Sequence, residues 1–150
     1  MSGLYFEEFT VGQTFDHPIR RTITEAGNVI FSTMTHNPAP LHLDAHYMKD
    51  TEFGKPIVNS CLTLAMMVGI SINDTTLGTT VANLGWDEVR FPKPLFHGDT
   101  IHIQTEVLAK RESKSRPDNG IVTFAHRAYN QDDVLVGECK RSALMHRKKT

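Results

Sequence analysis

Apolar residues recur three and four positions apart at Ala26, Val29, Ile30 and Met34, a spacing that gathers side chains on one face of an α-helix. The helix predicted from Glu25 to Met34 is capped by Thr24 and carries those four residues on one face. It must stop before Pro38, whose ring removes a donor and pushes the preceding residue out of helical conformation. Upstream, the polar and β-branched run from Phe15 to Thr24 reads as a short strand. After His42, the stretch LDAHYMKDTEFG reads as one or two helical turns closed by Gly54. The most apolar segment, PIVNSCLTLAMMVGISI, runs from Pro56 to Ile72. Its length favours a buried helix over a strand, with Pro56 near the start and Asn73-Asp74 at the end.

The pattern then changes period. VANLGWDEVRF, DTIHIQTEVLAKRES, GIVTFAHRAYNQ and DVLVGECKRSALMHR are strand-rich runs separated by Pro92 and Pro94, Gly98-Asp99, Pro117 to Gly120, and Gln131 to Asp133. Ile101, Ile103, Thr105 and Val107 alternate with His102, Gln104 and Glu106, as in a sheet with one covered face. One long apolar helix followed by antiparallel strands predicts an α+β fold, a curved sheet wrapped on a central helix at about residues 56–72, with a helical and loop segment at about 25–52 overhanging it. No internal repeat is visible.

Composition narrows the function classes. At 150 residues and 39% hydrophobic content the chain suits one domain with one core. A formal charge of -1 excludes a chain built around a polyanion, so no nucleic-acid partner is expected. Cys61 and Cys139 lack the spacing of a metal or redox pair and read as buried or half-buried thiols of a reducing compartment. The N-terminal MSGLYFEEFTVGQ does not read as a leader and no run has the length of a membrane span, so a cytoplasmic protein is expected. No His, Asp and Glu spacing matches a metal site, and no metal or redox cofactor is expected.

The stretch THNPAPLHLD, Thr35 to Asp44, carries the chemistry. Together with FEEFTVGQTF, RTITEA, the FGKPIV of Phe53 to Val58, and VANLGWDEVRFPKPLFHGDTI, it resembles the MaoC-like dehydratases and (R)-specific enoyl-CoA hydratases of the hot-dog fold. The likeness runs over almost the whole chain, in order. That family's signature reads Asp-x-Asn-Pro-(Ile/Leu)-His-x-Asp on a loop overhanging an acyl thioester. Here the family's catalytic Asp falls on Asn37 and its Asn on Ala39, while Pro40, Leu41, His42 and Asp44 are retained. The family's His-Gly at the head of the central helix falls on Asn59-Ser60. The resemblance implies a single hot-dog domain that works as a homodimer, with coenzyme A entering as part of the substrate.

Hydration of an enoyl thioester requires a held water, a group that takes its proton, a donor for the α-carbon and hydrogen bonds to the enolate oxygen. The resemblance makes His42 the titrating group and Asn37 a neutral residue that orients water; Asn37 also suits a turn cap. Asn59 and Ser60 sit where the oxyanion is bound, by the backbone N–H of Ser60. Asp44 is either a supporting carboxylate or the cap of the next turn. Asp44, Glu25, Asp87 or a carboxylate of the substrate could replace the missing Asp. Lys110, Arg111, Lys114 and Arg116 form a basic hairpin that could meet coenzyme A phosphates or solvent. Three functions remain open: a hydratase or dehydratase of short, branched or dicarboxylic enoyl-CoA, an acyl-CoA thioesterase, and a non-catalytic acyl-CoA binding protein.

Overall fold

In a computed structural model, which describes residues 3–148, the alternating run Ile101, Ile103, Thr105 and Val107 forms the buried face of a long strand. Six strands take part: β1 (Thr14–Asp16), β2 (Arg21–Thr22), β3 (Thr80–Arg90), β4 (Thr100–Glu112), β5 (Asn119–Tyr129) and β6 (Leu135–His146). All pairings are antiparallel, in the order β1-β4-β5-β6-β3, with β2 also against β4. Four helices accompany them: α1 (Glu25–Met34), α2 (Pro40–Leu43), α3 (Ala45–Met48) and α4 (Ser60–Thr75). This is the hot-dog arrangement, with α4 lying in the curve of the sheet.

The core is divided along that curve. Met67 and Ile70 of α4 pack with Ile101, Ile103, Ala128 and Val136. A second cluster joins Phe6, Phe9, Val107, Val122, Phe124 and Met145 under a single 3-10 turn at Phe6–Glu8. Burying each of these side chains contributes about 1.5 to 3 kcal/mol. Register places a polar row between the clusters, because Thr105 pairs with His126 where the rows on either side pair Ile103 with Ala128 and Val107 with Phe124. Thr105 Oγ1 bonds both His126 Nδ1 and His17 Nε2 at 2.8 Å, and His17 Nδ1 meets Asp74 Oδ2 at 2.8 Å.

The structure departs from the sequence reading in several places. The central helix starts at Ser60 rather than Pro56, because Val58 N–H donates to Leu95 O and Ile57 bridges Phe96, which hold this stretch extended. It also runs through Asn73-Asp74 to Thr75, since the Asp74 carboxylate is satisfied by His17 rather than by a turn. On α1 the apolar positions are not the covered ones: Ile30 and Met34 are 63% and 69% exposed, while Asn28 and Ser32 are fully buried. The predicted strand from Phe15 to Thr24 is split into β1 and β2 around His17, which turns into the core. Cys61 is exposed and Cys139 buried, both as free thiols. Lys110 does not face solvent freely, for its Nζ donates to the carbonyls of Phe6, Glu7 and Phe9.

Candidate active site

The overhanging loop is built by local stops. His36 takes a left-handed φ of 56° just past α1, and Asn37 N–H reaches back to Ser32 O at 2.9 Å, a bond that closes the last turn of the helix. Asn37 Oδ1 then accepts from Ala39 N–H at 3.1 Å, the side-chain turn that asparagine favours before a kink. Pro40 opens α2 at its first position, where its missing N–H costs nothing. This one-turn helix delivers His42.

His42 is 8% exposed, and its ring donates from Nδ1 to Ile57 O at 2.9 Å. A carbonyl can only accept, so the proton of the neutral ring is on Nδ1 and the lone pair on Nε2. Ile57 N–H returns a bond to Leu41 O at 2.9 Å, which fastens α2 to the segment that leads into α4. Three residues on, Ser60 begins α4, whose first amides have no acceptor within the helix. Asn59 Oδ1 takes one of them, Cys61 N–H, at 3.0 Å as the N-cap. The N–H of Ser60 stays at the helix N-terminus, where the aligned peptide dipoles favour negative charge.

Ser60 and Ile57 line a cleft of about 230 Å³ whose other walls include Phe53, Phe91, Val136 and the Lys93 side chain. A larger hollow of about 510 Å³ lies beside Tyr5 and His146, and another of about 280 Å³ over Glu88, Arg127 and Lys140, neither lined by Ile57 or Ser60. Of these three hollows, the smaller cleft is the one lined by the first residue of α4.

The residues singled out in the sequence fall into two groups. His42 and Ser60 are brought onto segments connected through Ile57. Asn37 shares that loop with its carbonyl oxygen engaged by Ala39, so the group it keeps for a ligand is its Nδ2 amide. Asn59 is buried, with Nδ2 toward Ser32 Oγ at 3.3 Å and Oδ1 on the Cys61 N–H at the start of α4. Asp44 caps α3 by accepting from Tyr47 N–H at 2.9 Å. Glu25 is exposed in the first turn of α1, and Asp87 is exposed on β3. Among the described residues, no hydrogen bond joins a carboxylate to His42 and no cluster of three metal-ligating side chains is present.

Sequence reasoning missed Asn28, Ser32 and His97. Asn28 Oδ1 accepts from Asn59 N–H at 2.9 Å, and its Nδ2 meets Ile57 O at 3.2 Å and His97 Nε2 at 3.0 Å. The available signal was a polar pair, Asn28 and Ser32, one turn apart on α1.

The chain is similar over residues 7–130 to the family described as MaoC like domain. It is 25% identical over 149 residues to a protein named mesaconyl-CoA hydratase from Cereibacter sphaeroides, which covers 99% of this chain and 43% of that protein. A protein named (R)-specific enoyl-CoA hydratase, from Aeromonas caviae, is 30% identical over 105 residues, 70% of this chain and 73% of that protein. A solved structure of a monoamine oxidase regulatory protein from Archaeoglobus matches with a TM-score of 0.88 at 31% identity, over 99% of this chain and 98% of that one. The chain spans about two fifths of the length of the first curated relatives it matches.

Proposed function

The chain belongs to the MaoC-like domain family, and from that premise we propose that it adds water to, or removes it from, the double bond of an enoyl-CoA thioester. The observation that supports this reading best is the Nδ1–H bond of His42 to Ile57 O, which leaves Nε2 as a base on a ring fastened to Ile57, three residues before the first residue of α4. In the hydration direction, His42 Nε2 takes a proton from water as the water oxygen bonds the β-carbon. The electrons of the double bond move onto the thioester oxygen, and the Ser60 N–H holds that enolate. The imidazolium then returns the proton to the α-carbon, and the ring is neutral again. Asn37 contributes its Nδ2 amide, a donor that fixes the water oxygen while His42 receives the proton.

The finer reading is a short acyl chain, branched or dicarboxylic. A cleft of about 230 Å³ holds only a few carbon atoms beyond the thioester, and Lys93 stands at its wall with no ion-pair partner among the described residues. Active chains are homodimers in this reading, assembled through the open edge of β3.

The test is loss of the enoyl thioester's ultraviolet absorbance with crotonyl-CoA and mesaconyl-CoA. His42→Ala lowers kcat/KM by about 10² to 10⁴, the usual worth of one acid or base. Full activity in that variant rejects the site assignment. Release of free thiol instead of hydration points to a thioesterase, and saturable binding with neither reaction points to a binding protein.

A further inference from the structure

The proposed chemistry needs two groups carried by different segments, the His42 ring on α2 and the Ser60 amide on α4, to keep one separation. We propose that Asn28 of α1 is the positioning residue that locks them together, with His97 as the acceptor that holds its amide in orientation. The kinetic consequences rest on the hydratase reading; the hydrogen-bond geometry does not.

Asn28 is fully buried, and every polar atom of its side chain is engaged. Asn59 N–H can only donate, so Oδ1 must face it at 2.9 Å. The two hydrogens of Nδ2 are then directed to Ile57 O at 3.2 Å and His97 Nε2 at 3.0 Å, with His42 O marginal at 3.5 Å. Ile57 O also accepts from His42 Nδ1 at 2.9 Å, so one carbonyl is shared by the amide and the imidazole. On its other side Asn28 grips the N-cap residue that sets the direction of α4. A single side chain therefore bonds both the carbonyl that holds the base and the amide of the residue just before the Ser60 N–H.

His97 completes the lock. Its Nε2 accepts, so its proton is on Nδ1, and a flipped amide would aim Oδ1 at both this lone pair and Ile57 O. The turn that carries His97 is anchored to the start of α1, where Gly98 N–H donates to Ile23 O and Ile23 N–H to Asp99 O, each at 2.8 Å. Asp99 Oδ2 accepts from Phe96 N–H at 2.8 Å and steadies the same turn. Of the residues whose atoms bond the Asn28 side chain, His42 and His97 are the ones that titrate.

Asn28→Asp tests the assignment. The variant keeps an acceptor for Asn59 N–H but points a second acceptor at Ile57 O and His97 Nε2. The expected result is a kcat at least about tenfold lower at pH 8, recovering as pH falls and the Asp–His pair binds a proton, with KM changed less than about threefold. In ring ¹⁵N NMR at pH 8, His42 moves away from the pure Nδ1–H pattern and the His97 Nε2 shift changes with it. A pH-independent loss, or a wild-type kcat, together with unchanged His42 ring shifts overturns the proposal. Should this variant not fold, His97→Gln, whose amide oxygen still accepts from Asn28, retains kcat within about threefold while His97→Leu loses it by about tenfold; equal values overturn the proposal. Absence of hydration by the wild-type chain would reject the functional reading alone, and the NMR comparison would still decide the role of Asn28.

Discussion

In the proposed reaction Ser60 acts through its main-chain amide, so its side chain is free to change. Ser60→Ala is expected to leave kcat within about threefold. Ser60→Pro is more informative, because proline suits the first position of a helix and removes only the N–H. That variant should fold with an unchanged melting temperature, yet lose about 10² to 10³ in kcat, the usual effect of deleting one oxyanion donor. Steady-state kinetics beside a thermal melt check both outcomes, and a fully active proline variant would place the oxyanion elsewhere. Asn59 behaves in the opposite sense. Its side chain caps α4 and reaches Ser32, so Asn59→Ala acts first on stability, by about 0.5 to 2 kcal/mol.

Among the elements, α1 shows how tertiary contacts override an amphipathic pattern. Its apolar positions Ile30 and Met34 face outward because the inward face is needed for Asn28 and Ser32, which are satisfied by the segment entering α4. The polar row across β4, β5 and the His17 segment makes a separate prediction. The bond to the Asp74 carboxylate places the His17 proton on Nδ1, so Thr105 donates to His17 Nε2 and accepts from His126 Nδ1. Burial pushes His126 down to about 3, helped by the nearby Arg141 charge. Above the ordinary histidine value the ring is neutral folded and unfolded, and pH has no leverage through it. Below about 6.5 the unfolded chain binds a proton that the folded chain refuses until about 3, so stability falls through that window by about 1.4 kcal/mol per pH unit. Urea denaturation from pH 7 to 4 should show this slope, and His126→Gln should reduce it; an unchanged slope would assign the loss to other groups. On the neighbouring strand, burial raises the Cys139 thiol to about 11, which leaves it an unreactive core residue.

For the molecule as a unit, the long open edge is β3, the other end of the sheet being the three-residue β1. Among the described residues β3 pairs with β6 alone, and Leu84, Trp86, Val89 and the adjacent Phe91 are exposed along it. An unpaired strand edge bearing large apolar residues invites a second strand, and a second copy of the chain would supply it with two-fold symmetry. Light scattering after size exclusion is expected to give twice the mass of the chain, and Trp86→Glu with Val89→Glu to shift it toward the monomer; a monomeric wild type would reject the pairing. Much of this architecture is legible along the chain. Period-two alternation predicts β4, length and apolarity predict a central helix, and Pro38 with Pro40 stops α1 and frames the loop of Asn37 and His42. Those features follow from neighbours in sequence, through backbone sterics and alternating burial. The keystone of the site does not. Asn28 meets partners 29, 31 and 69 residues away, and Asp74 finds His17 at a separation of 57. Local periodicity carries no information on such pairs, so an asparagine on a helix reads as solvated until folding encloses it. The sequence by itself determined which segments are helix, strand and stop; the packing of α1 and α4 against the sheet decided which polar groups are buried, how they are satisfied, and thereby which nitrogen of His42 keeps its lone pair free.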